Sequence, residues 1–228
     1  MYKKMKAIYT LSLSLFLLAS CEVDNYEAPE VTLTGKIVDA QTNKLVESGG
    51  INAGTVVRLY EGDSQQPLVL NTLPDGTFTN SKFFAGSYSY TAQGPFKLVT
   101  SEPQRTTVDQ DAEIEIKVIP NVRLEATVEE VSGTTAKIKV KYNKVATDQK
   151  LVHLAVVWSK FPNPNNFTFA GGAINQEIVE AQNLTAGEKI FTITNLTPHT
   201  KYYLRSSGRT ANPGNYYNYS TPLELLIQ

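Results

Sequence analysis

The sequence has few of the residues that enzymes use for chemistry. It contains one cysteine and two histidines in 228 residues, so no disulfide can form within the chain. No zinc-protease motif, serine-hydrolase elbow or glycine-rich phosphate loop occurs. His153 alternates with apolar residues on a predicted strand and His199 lies in a predicted turn, which favours solvated roles for both. These absences predict a non-catalytic protein without a cofactor.

Strongly charged segments are also missing. The formal net charge is -1, and no part of the chain is basic enough to indicate nucleic-acid binding. Acidic residues are plentiful, but none lies in a setting that favours the paired carboxylates of a glycosidase. Asp109, Asp111 and Glu113 could hold calcium only if their strand bent, since on a straight strand they form a solvated acidic stripe. No metal site is therefore predicted.

The apolar run at the start of the chain, residues 8–18, is too short to cross a bilayer, because a transmembrane helix needs about 20 residues. It follows three lysines and precedes the small residues Ala19 and Ser20. A basic start, a short apolar run and a small-residue cleavage point are the parts of a secretory signal. Residues 1–20 are therefore predicted to be a signal peptide, followed by the single cysteine, Cys21.

Leu18-Ala19-Ser20-Cys21 resembles the lipobox of bacterial lipoproteins. The resemblance implies that the thiol of Cys21 carries lipid and attaches the mature chain to a membrane. The alternatives are an ordinary signal peptide before an unpaired cysteine and an initiating helix with a buried cysteine, although a free thiol is unusual in an oxidising compartment. Residues 21–30, the lipidated cysteine and an acidic stretch, are predicted to be an extended tether. Their carboxylates resemble the surface-export signals of Bacteroidetes lipoproteins, and a solvated spacer is the alternative.

The rest of the chain has the composition of strands. Tyrosine (12) and phenylalanine (9) far outnumber methionine (2). Short alternating runs are separated by turn signals, and no helical period occurs. Residues 113–118 alternate isoleucine or valine with charge, and Pro120-Asn121 breaks that pattern. The sequence therefore predicts an all-β protein of two tandem β-sandwiches, residues 31–119 with seven short strands and residues 120–228.

Three motifs in residues 31–119 carry a resemblance. Gly35-x-Ile37-x-Asp39, Asp75-Gly76-Thr77-Phe78 and Ala85-Gly86-Ser87-Tyr88 resemble the carboxypeptidase-regulatory-like (transthyretin-like) sandwich. Domains of that family are mostly non-catalytic. The resemblance therefore implies a scaffold or a binding module.

The second unit carries a different resemblance. Leu196-Thr197-Pro198-His199-Thr200-Lys201-Tyr202 resembles the Leu-x-Pro-x-Thr-x-Tyr motif of fibronectin type III domains. The resemblance implies that Tyr202 forms a tyrosine corner, with its ring in the core and its hydroxyl bonded to upstream backbone. The single tryptophan, Trp158, lies in an apolar run and is expected in the core between the sheets.

An aromatic loop between the last predicted strands is the candidate binding site. Its residues are Asn215, Tyr216, Tyr217, Asn218 and Tyr219. Tyrosine rings can stack on a sugar, and asparagine amides can bond its hydroxyls. Because successive strand side chains point oppositely, some of the three tyrosines are expected to be exposed, the alternative being that they close the end of the sandwich. A similar loop, residues 160–167, can lie at the opposite end in a fibronectin-like order.

The order of lipobox, acidic tether and two sandwiches is similar to that of Bacteroidetes outer-membrane lipoproteins of unknown function. Those proteins are thought to accompany TonB-dependent glycan importers of the starch-utilisation type. The resemblance implies a protein anchored to the outer membrane by lipid on Cys21 and facing the cell surface. It also implies polysaccharide as ligand, with the importer and its partner lipoprotein as protein partners. The alternative is a structural spacer or protein-interaction module with no small ligand.

Overall fold

The fold is that of a computed structural model of the chain. It describes residues 28–51, 53–167 and 184–228, and the backbone of residues 176–179. The predicted signal peptide and Cys21 lie outside these residues. Every named element of the described part is a β-strand, so the prediction of an all-β protein is confirmed. None of the described residues belongs to a helix with the length and apolarity needed to span a bilayer.

The first eight strands form two four-stranded sheets that share one core. Their bounds are β1 (Val31–Asp39), β2 (Val56–Glu61), β3 (Leu68–Asn71), β4 (Thr77–Phe83), β5 (Gly86–Gln93), β6 (Phe96–Leu98), β7 (Gln104–Val108) and β8 (Ala112–Pro120). One sheet has the order β4-β1-β8-β6, and the other has the order β3-β2-β5-β7. The β1–β8 pair is parallel, whereas the other pairs are antiparallel. The structure has eight strands where seven were predicted, and β6, of three residues, is too short to show alternation.

Hydrophobic alternation explains how these strands fold. On β8, Ile114, Ile116 and Val118 are buried, whereas the charged residues between them point to solvent. Lys36 on the neighbouring β1 reaches Glu113, with Nζ 2.8 Å from Oε1. The apolar face of β8 meets side chains from the opposite sheet, among them Leu59 of β2. Burial of one face in this way fixes the register, since a slip of one residue would expose every apolar side chain.

The remaining strands form a second sandwich. Their bounds are β9 (Val122–Ser132), β10 (Thr135–Lys144), β11 (Leu151–Ser159), β12 (Gln176–Val179), β13 (Ala186–Ile193), β14 (Lys201–Thr210), β15 (Asn218–Tyr219) and β16 (Leu223–Leu226). One sheet has the order β13-β10-β9. The other has the order β12-β11-β14-β15, and β16 also pairs with β14. Among the described residues the apolar cluster of this sandwich shares no member with that of the first. The chain passes from one cluster to the other at Pro120 and Asn121, where β8 ends and β9 begins.

Strand β11 differs from β8 because both of its faces are buried. Leu154, Val156 and Trp158 belong to the second core. On the opposite side Ala155 and Val157 are 1% and 0% exposed, although they point away from that core. The outside of this sheet must therefore be covered by other parts of the molecule.

Candidate binding face

The outer face of the β11–β14–β15 sheet, the side that points away from the second core, carries most of its polar and aromatic side chains. Tyr202 and Leu204 of β14 point inward, so the residues between and beyond them point outward. The register pairs His153 with Arg209 and Ser207 with Tyr219, which places these residues on one surface. The outer face comprises His153, Ala155, Val157, Tyr203, Arg205, Ser207, Arg209, Tyr217 and Tyr219.

One half of the outer face is closed by the first sandwich through Arg205. The Arg205 side chain is fully buried. Its Nη1 donates to the carbonyl oxygen of Ser48 at 2.9 Å, and its Nη2 lies 3.1 Å from Oε2 of Glu47. Its Nε donates to the carbonyl of Ser220 at 2.9 Å, and its guanidinium carbon lies 4.5 Å from the centre of the Tyr219 ring. Arg205 therefore binds both sandwiches at once.

Burial shifts the pKa of every titratable group in this contact toward the neutral form. Loss of solvent lowers the pKa of Arg205 to about 10, even though Glu47 opposes the change. Burial likewise raises the pKa of Glu47, although the positive charge of Arg205 acts to lower it. Burial raises the pKa of Tyr219 well above its ordinary value. These directions follow from the cost of placing a charge where little solvent reaches it.

A second charged contact joins the sandwiches nearby. Arg123 Nε lies 2.6 Å from Oδ2 of Asp39, and Arg123 Nη2 donates to Oδ1 at 3.0 Å, so the pair is bidentate. Burial pushes the pKa of Asp39 upward, but hydrogen bonds from Arg123, Thr42 and the Gln41 backbone outweigh it and hold that pKa below its usual value. Between this pair and Tyr219 lies a cleft of about 220 Å³.

The other half of the outer face is partly open and has a different composition. It consists of His153, Arg209 and Tyr217, with Asn215 and Phe167 beside them, and is called the open half below. The guanidinium carbon of Arg209 lies 5.5 Å from the centre of the Tyr217 ring, and Arg209 Nη1 donates to Oδ1 of Asn215. The Phe167 ring meets the Tyr217 ring nearly edge-on, with centres 5.5 Å apart. Phe167 is 49% exposed, so one aromatic surface faces solvent.

His153 links Arg209 to Tyr217. Arg209 Nη2 lies 3.1 Å from Nε2 of His153, and an arginine can only donate, so Nε2 is the acceptor of this bond. On the other side of the ring, Nδ1 lies 3.1 Å from the Tyr217 hydroxyl oxygen.

The loop before β15 is held by its own side chains. Oδ1 of Asn212 accepts from the Tyr216 amide at 2.9 Å, and Nδ2 of Asn212 donates to the Tyr216 carbonyl at 2.9 Å. Gly214 has φ +88°, and a β-carbon there would lie 2.5 Å from the Tyr216 ring, so only glycine fits. Asn215 follows with φ +56°, a conformation that asparagine tolerates. The loop thereby presents Asn215 beside Arg209.

The structure places the five predicted binding residues in two environments. Asn215 is exposed and Tyr216 is half-buried, whereas Tyr217, Asn218 and Tyr219 are buried at 9%, 3% and 5% exposure. The expectation that alternation exposes some of the tyrosines therefore holds only for Tyr216. Tyr217 and Tyr219 do point away from the second core, but the first sandwich and the 160–167 loop cover that side. Asn218 points inward, where its Oδ1 accepts from the Val122 amide at 3.0 Å.

Two loops that a fibronectin-like order can place at opposite ends of the sandwich meet on the outer face. The Asn166 amide donates to the Tyr219 hydroxyl at 3.1 Å, and the Phe167 ring contacts the Tyr217 ring. The physical reason is that the 160–167 loop folds back over the sheet, where Asn165 Nδ2 also donates to the carbonyl of Gly49 at 2.9 Å.

The sequence analysis missed His153 and Arg209 as members of a site. It placed His153 on the outside of a strand, as the structure does, but interpreted it as solvated. The spacing of Arg205 and Arg209 could have shown that both lie on one face of β14. Nothing in the sequence pairs that face with Tyr217, because the pairing depends on how β11, β14 and β15 assemble.

The remaining residues singled out in the sequence have structural contacts. The Tyr202 ring lies in the second core and its hydroxyl accepts from the Thr197 amide at 3.0 Å, the geometry of a tyrosine corner. Trp158 lies in the same core. In the acidic stripe, Asp111 accepts from the Thr32 amide at 2.8 Å and Glu113 pairs with Lys36. Within the described residues no group of three or more histidine, cysteine or acidic side chains could hold a metal ion.

No family model and no curated protein sequence matches the chain. Solved structures do match it. A DUF3823 family protein from Bacteroides uniformis superposes with a TM-score of 0.76 at 20% identity, covering 88% of this chain and 100% of that protein. A DUF3823 family protein from Parabacteroides merdae gives 0.71 at 18% identity, with 87% and 100% covered.

A further structure from Bacteroides uniformis is described as a "putative carbohydrate binding protein". It superposes with a TM-score of 0.72 at 19% identity and covers 87% of this chain and 100% of its own. None of the three is described as an enzyme. In each superposition the matched part of this chain is longer than either sandwich, so it includes residues of both. The chain is thus similar in fold, across both sandwiches, to DUF3823 structures from Bacteroides and Parabacteroides.

Proposed function

We propose that this protein is a non-catalytic lipoprotein of the outer membrane that binds glycan at the open half of the outer face. The observation that carries the proposal is the meeting of two loops there, which brings an exposed phenylalanine beside a tyrosine and three polar side chains. The similarity in fold to a structure described as a carbohydrate binding protein supports it.

The open half has the two kinds of group that a sugar needs. The exposed Phe167 ring offers a flat apolar surface to the C–H side of a pyranose. Asn215, Arg209 and the Tyr217 hydroxyl offer donors to the ring oxygens and hydroxyls. The hydrogen bonds among His153, Arg209 and Tyr217 already hold these groups in place, so binding needs little ordering.

Stacking on Phe167 is tested by comparing two exposed phenylalanines in one loop. The protein, expressed from the full-length gene and purified in detergent, is titrated with a panel of polysaccharides by calorimetry. We expect Phe167→Ala to weaken binding about tenfold, or ~1.4 kcal/mol. Phe161→Ala is the matched control, because Phe161 is 46% exposed yet lies outside the open half, and it should bind as the parent does. If the parent binds no polysaccharide, or if Phe167→Ala and Phe161→Ala bind it equally well, the proposal is wrong.

The location of the protein is proposed from the sequence. Lipid on Cys21 would anchor the chain, and residues 22–30 would hold the first sandwich, which begins at Val31, away from the membrane. Facing the cell surface, the protein would deliver glycan to a TonB-dependent importer and its partner lipoprotein. Labelled palmitate should enter the parent chain and not Cys21→Ala. Release of an unlabelled parent chain into the medium would contradict the anchor.

A structural spacer is the second candidate, and the buried Arg205 contact favours it. A fully buried arginine that bonds both sandwiches suits a body that transmits position and needs no small ligand. This function would be favoured if the importer co-purifies with Phe167→Ala as efficiently as with the parent chain and neither chain binds glycan.

A further inference from the structure

We infer that the glycan bound at the open half is acidic and that Arg209 binds the carboxylate of a uronic acid. The inference rests on the proposed function and names the class of sugar. The observation that carries it is the Arg209 guanidinium, which has no acidic partner among the described residues.

Arg209 differs from the two other arginines that make several contacts in this region. Arg205 is paired with Glu47, and Arg123 is paired with Asp39. The contacts of Arg209 within the described residues are the amide oxygen of Asn215, Nε2 of His153 and the ring of Tyr217, none of which carries a negative charge. The positive charge of Arg209 is therefore not neutralised by any described residue, and a bound anion could pair with it.

The geometry leaves donors for that anion. A guanidinium has five N–H groups in one plane. Asn215 accepts a hydrogen bond from one N–H of Nη1, and His153 accepts one from Nη2. The Nε–H group is buried and has no acceptor in the described part of the chain. One N–H on each terminal nitrogen remains, and the bond to Asn215 lies at the surface. Two coplanar donors on one cation match the two oxygens of a carboxylate.

The surroundings place a sugar ring and its carboxylate together. Phe167 and Arg209 both contact Tyr217, with the Phe167 ring and the Arg209 guanidinium each 5.5 Å from its ring centre. Because both groups lie against Tyr217, a glycan that stacks one sugar ring on Phe167 would place that ring or the next one near Arg209. The Tyr217 hydroxyl, which contacts His153, belongs to the same cluster of polar groups.

The test compares uronate polymers with their neutral counterparts. The protein expressed from the full-length gene is titrated with polygalacturonate, alginate and hyaluronan, each beside its carboxyl-reduced form, and with dextran sulfate. We expect at least one acidic polymer to bind about tenfold more tightly than its reduced form. That preference should disappear in Arg209→Gln, survive in part in Arg209→Lys, and remain in the matched control Arg105→Gln, which changes an exposed arginine of the first sandwich.

Each outcome separates this inference from the proposed function. Equal binding of acidic and reduced polymers, with loss in Phe167→Ala, overturns the inference and leaves glycan binding intact. Binding of dextran sulfate as tight as that of the uronates, with the same dependence on Arg209, overturns the choice of carboxylate. Binding of no polymer overturns both. If Arg209→Gln does not fold, the parent chain alone is titrated in 50 and 500 mM sodium chloride. A preference for the acidic polymer that is lost at the higher salt concentration supports the inference, because a charged contact weakens with salt, and a preference that does not change overturns it.

Discussion

A fully buried arginine needs an explanation, because a charge without solvent is costly unless it is paired and hydrogen-bonded. Arg205 meets this requirement with Glu47, three backbone carbonyls and the face of Tyr219. These partners come from both sandwiches. The cost of burying the charge is therefore offset only when the two sandwiches are in contact.

Removal of the Arg205 charge should destabilise the protein strongly. We expect Arg205→Met to lower the free energy of unfolding by about 3–5 kcal/mol, because Glu47 is left without its partner. The measurement is urea unfolding at pH 7. Arg105→Met, the control at an exposed site, should change stability by less than about 0.5 kcal/mol. Glu47→Gln added to Arg205→Met should recover part of the loss, and a loss under about 1 kcal/mol in the single variant would contradict this account.

Asp39 should give the stability a dependence on acid. Its pKa is held below the usual value in the folded chain by its bonds to Arg123, Thr42 and the Gln41 amide, which outweigh burial. The group therefore stabilises the fold above its unfolded pKa of about 4, and this contribution is lost as pH falls through the folded pKa. We expect Asp39→Asn to cost about 2 kcal/mol at pH 7 and progressively less toward pH 2.

The control for Asp39 is Asp63→Asn, at an exposed turn of the first sandwich. The pKa of Glu47 is raised by burial, so its contribution to stability changes with pH in the opposite direction. Glu47 is present in both the parent and Asp39→Asn, so its contribution cancels when their free energies of unfolding are subtracted. If the difference in free energy of unfolding between the parent and Asp39→Asn stays constant from pH 7 to pH 2, the charge of Asp39 is not the cause of that difference.

At the scale of the element, β14 is the strand that connects fold and site. Its inward residues Tyr202 and Leu204 fill the second core, and its outward residues Arg205 and Arg209 make the closed and open halves of the outer face. One strand with period two thus packs into the core on one side and carries residues of the proposed binding face on the other. Whatever fixes the start of β14 also fixes the position of both arginines.

The tyrosine corner is the contact that fixes that start. We expect Tyr202→Phe to lower the free energy of unfolding by about 1–2 kcal/mol, because the Thr197 amide loses its acceptor while the ring stays in the core. Thermal unfolding measures the change. Tyr60→Phe, at a half-exposed position of the first sandwich, is the control and should be near neutral. Equal effects of the two substitutions would argue that the Tyr202 hydroxyl does not hold the corner.

At the scale of the whole molecule, two separate cores are joined by polar contacts. Arg205 with Glu47, Arg123 with Asp39, and Asn165 with Gly49 connect the sandwiches, and the apolar clusters do not merge among the described residues. Polar contacts of defined geometry fix orientation more than they add free energy. The open half depends on that orientation, because the loop that carries Phe167 also bonds to the first sandwich.

Removal of both arginine links should uncouple the sandwiches. The single tryptophan, Trp158, lies in the second core, so its fluorescence follows that sandwich alone, whereas circular dichroism follows all strands. We expect the parent to unfold in one transition with coincident probes, and Arg205→Met with Arg123→Met to show two transitions with separate midpoints. Tm values that coincide for both probes in the double variant would contradict the role of these links.

The parts of the fold that depend on local pattern could be predicted. The alternation of Ile114, Ile116 and Val118 with charge marks β8, and the Leu-x-Pro-x-Thr-x-Tyr motif ending at Tyr202 marks the start of β14. The site could be predicted only in part. Asn215 and Tyr216 are accessible, as an aromatic loop suggests, but Tyr217 and Tyr219 are buried by segments distant in sequence.

The sequence by itself determined which residues face the same way along each strand, because the period of two is a property of the backbone. It also determined the candidate signal peptide that ends before Cys21, since charge, apolar length and small residues are local features. Only the tertiary structure decided which outward faces are covered. Arg205 and Arg209 are both outward on β14, yet one is buried against Glu47 and the other contacts Asn215 and His153. Their difference arises from contacts between segments more than 100 residues apart, such as Arg205 with Ser48 at a separation of 157, which no local pattern records.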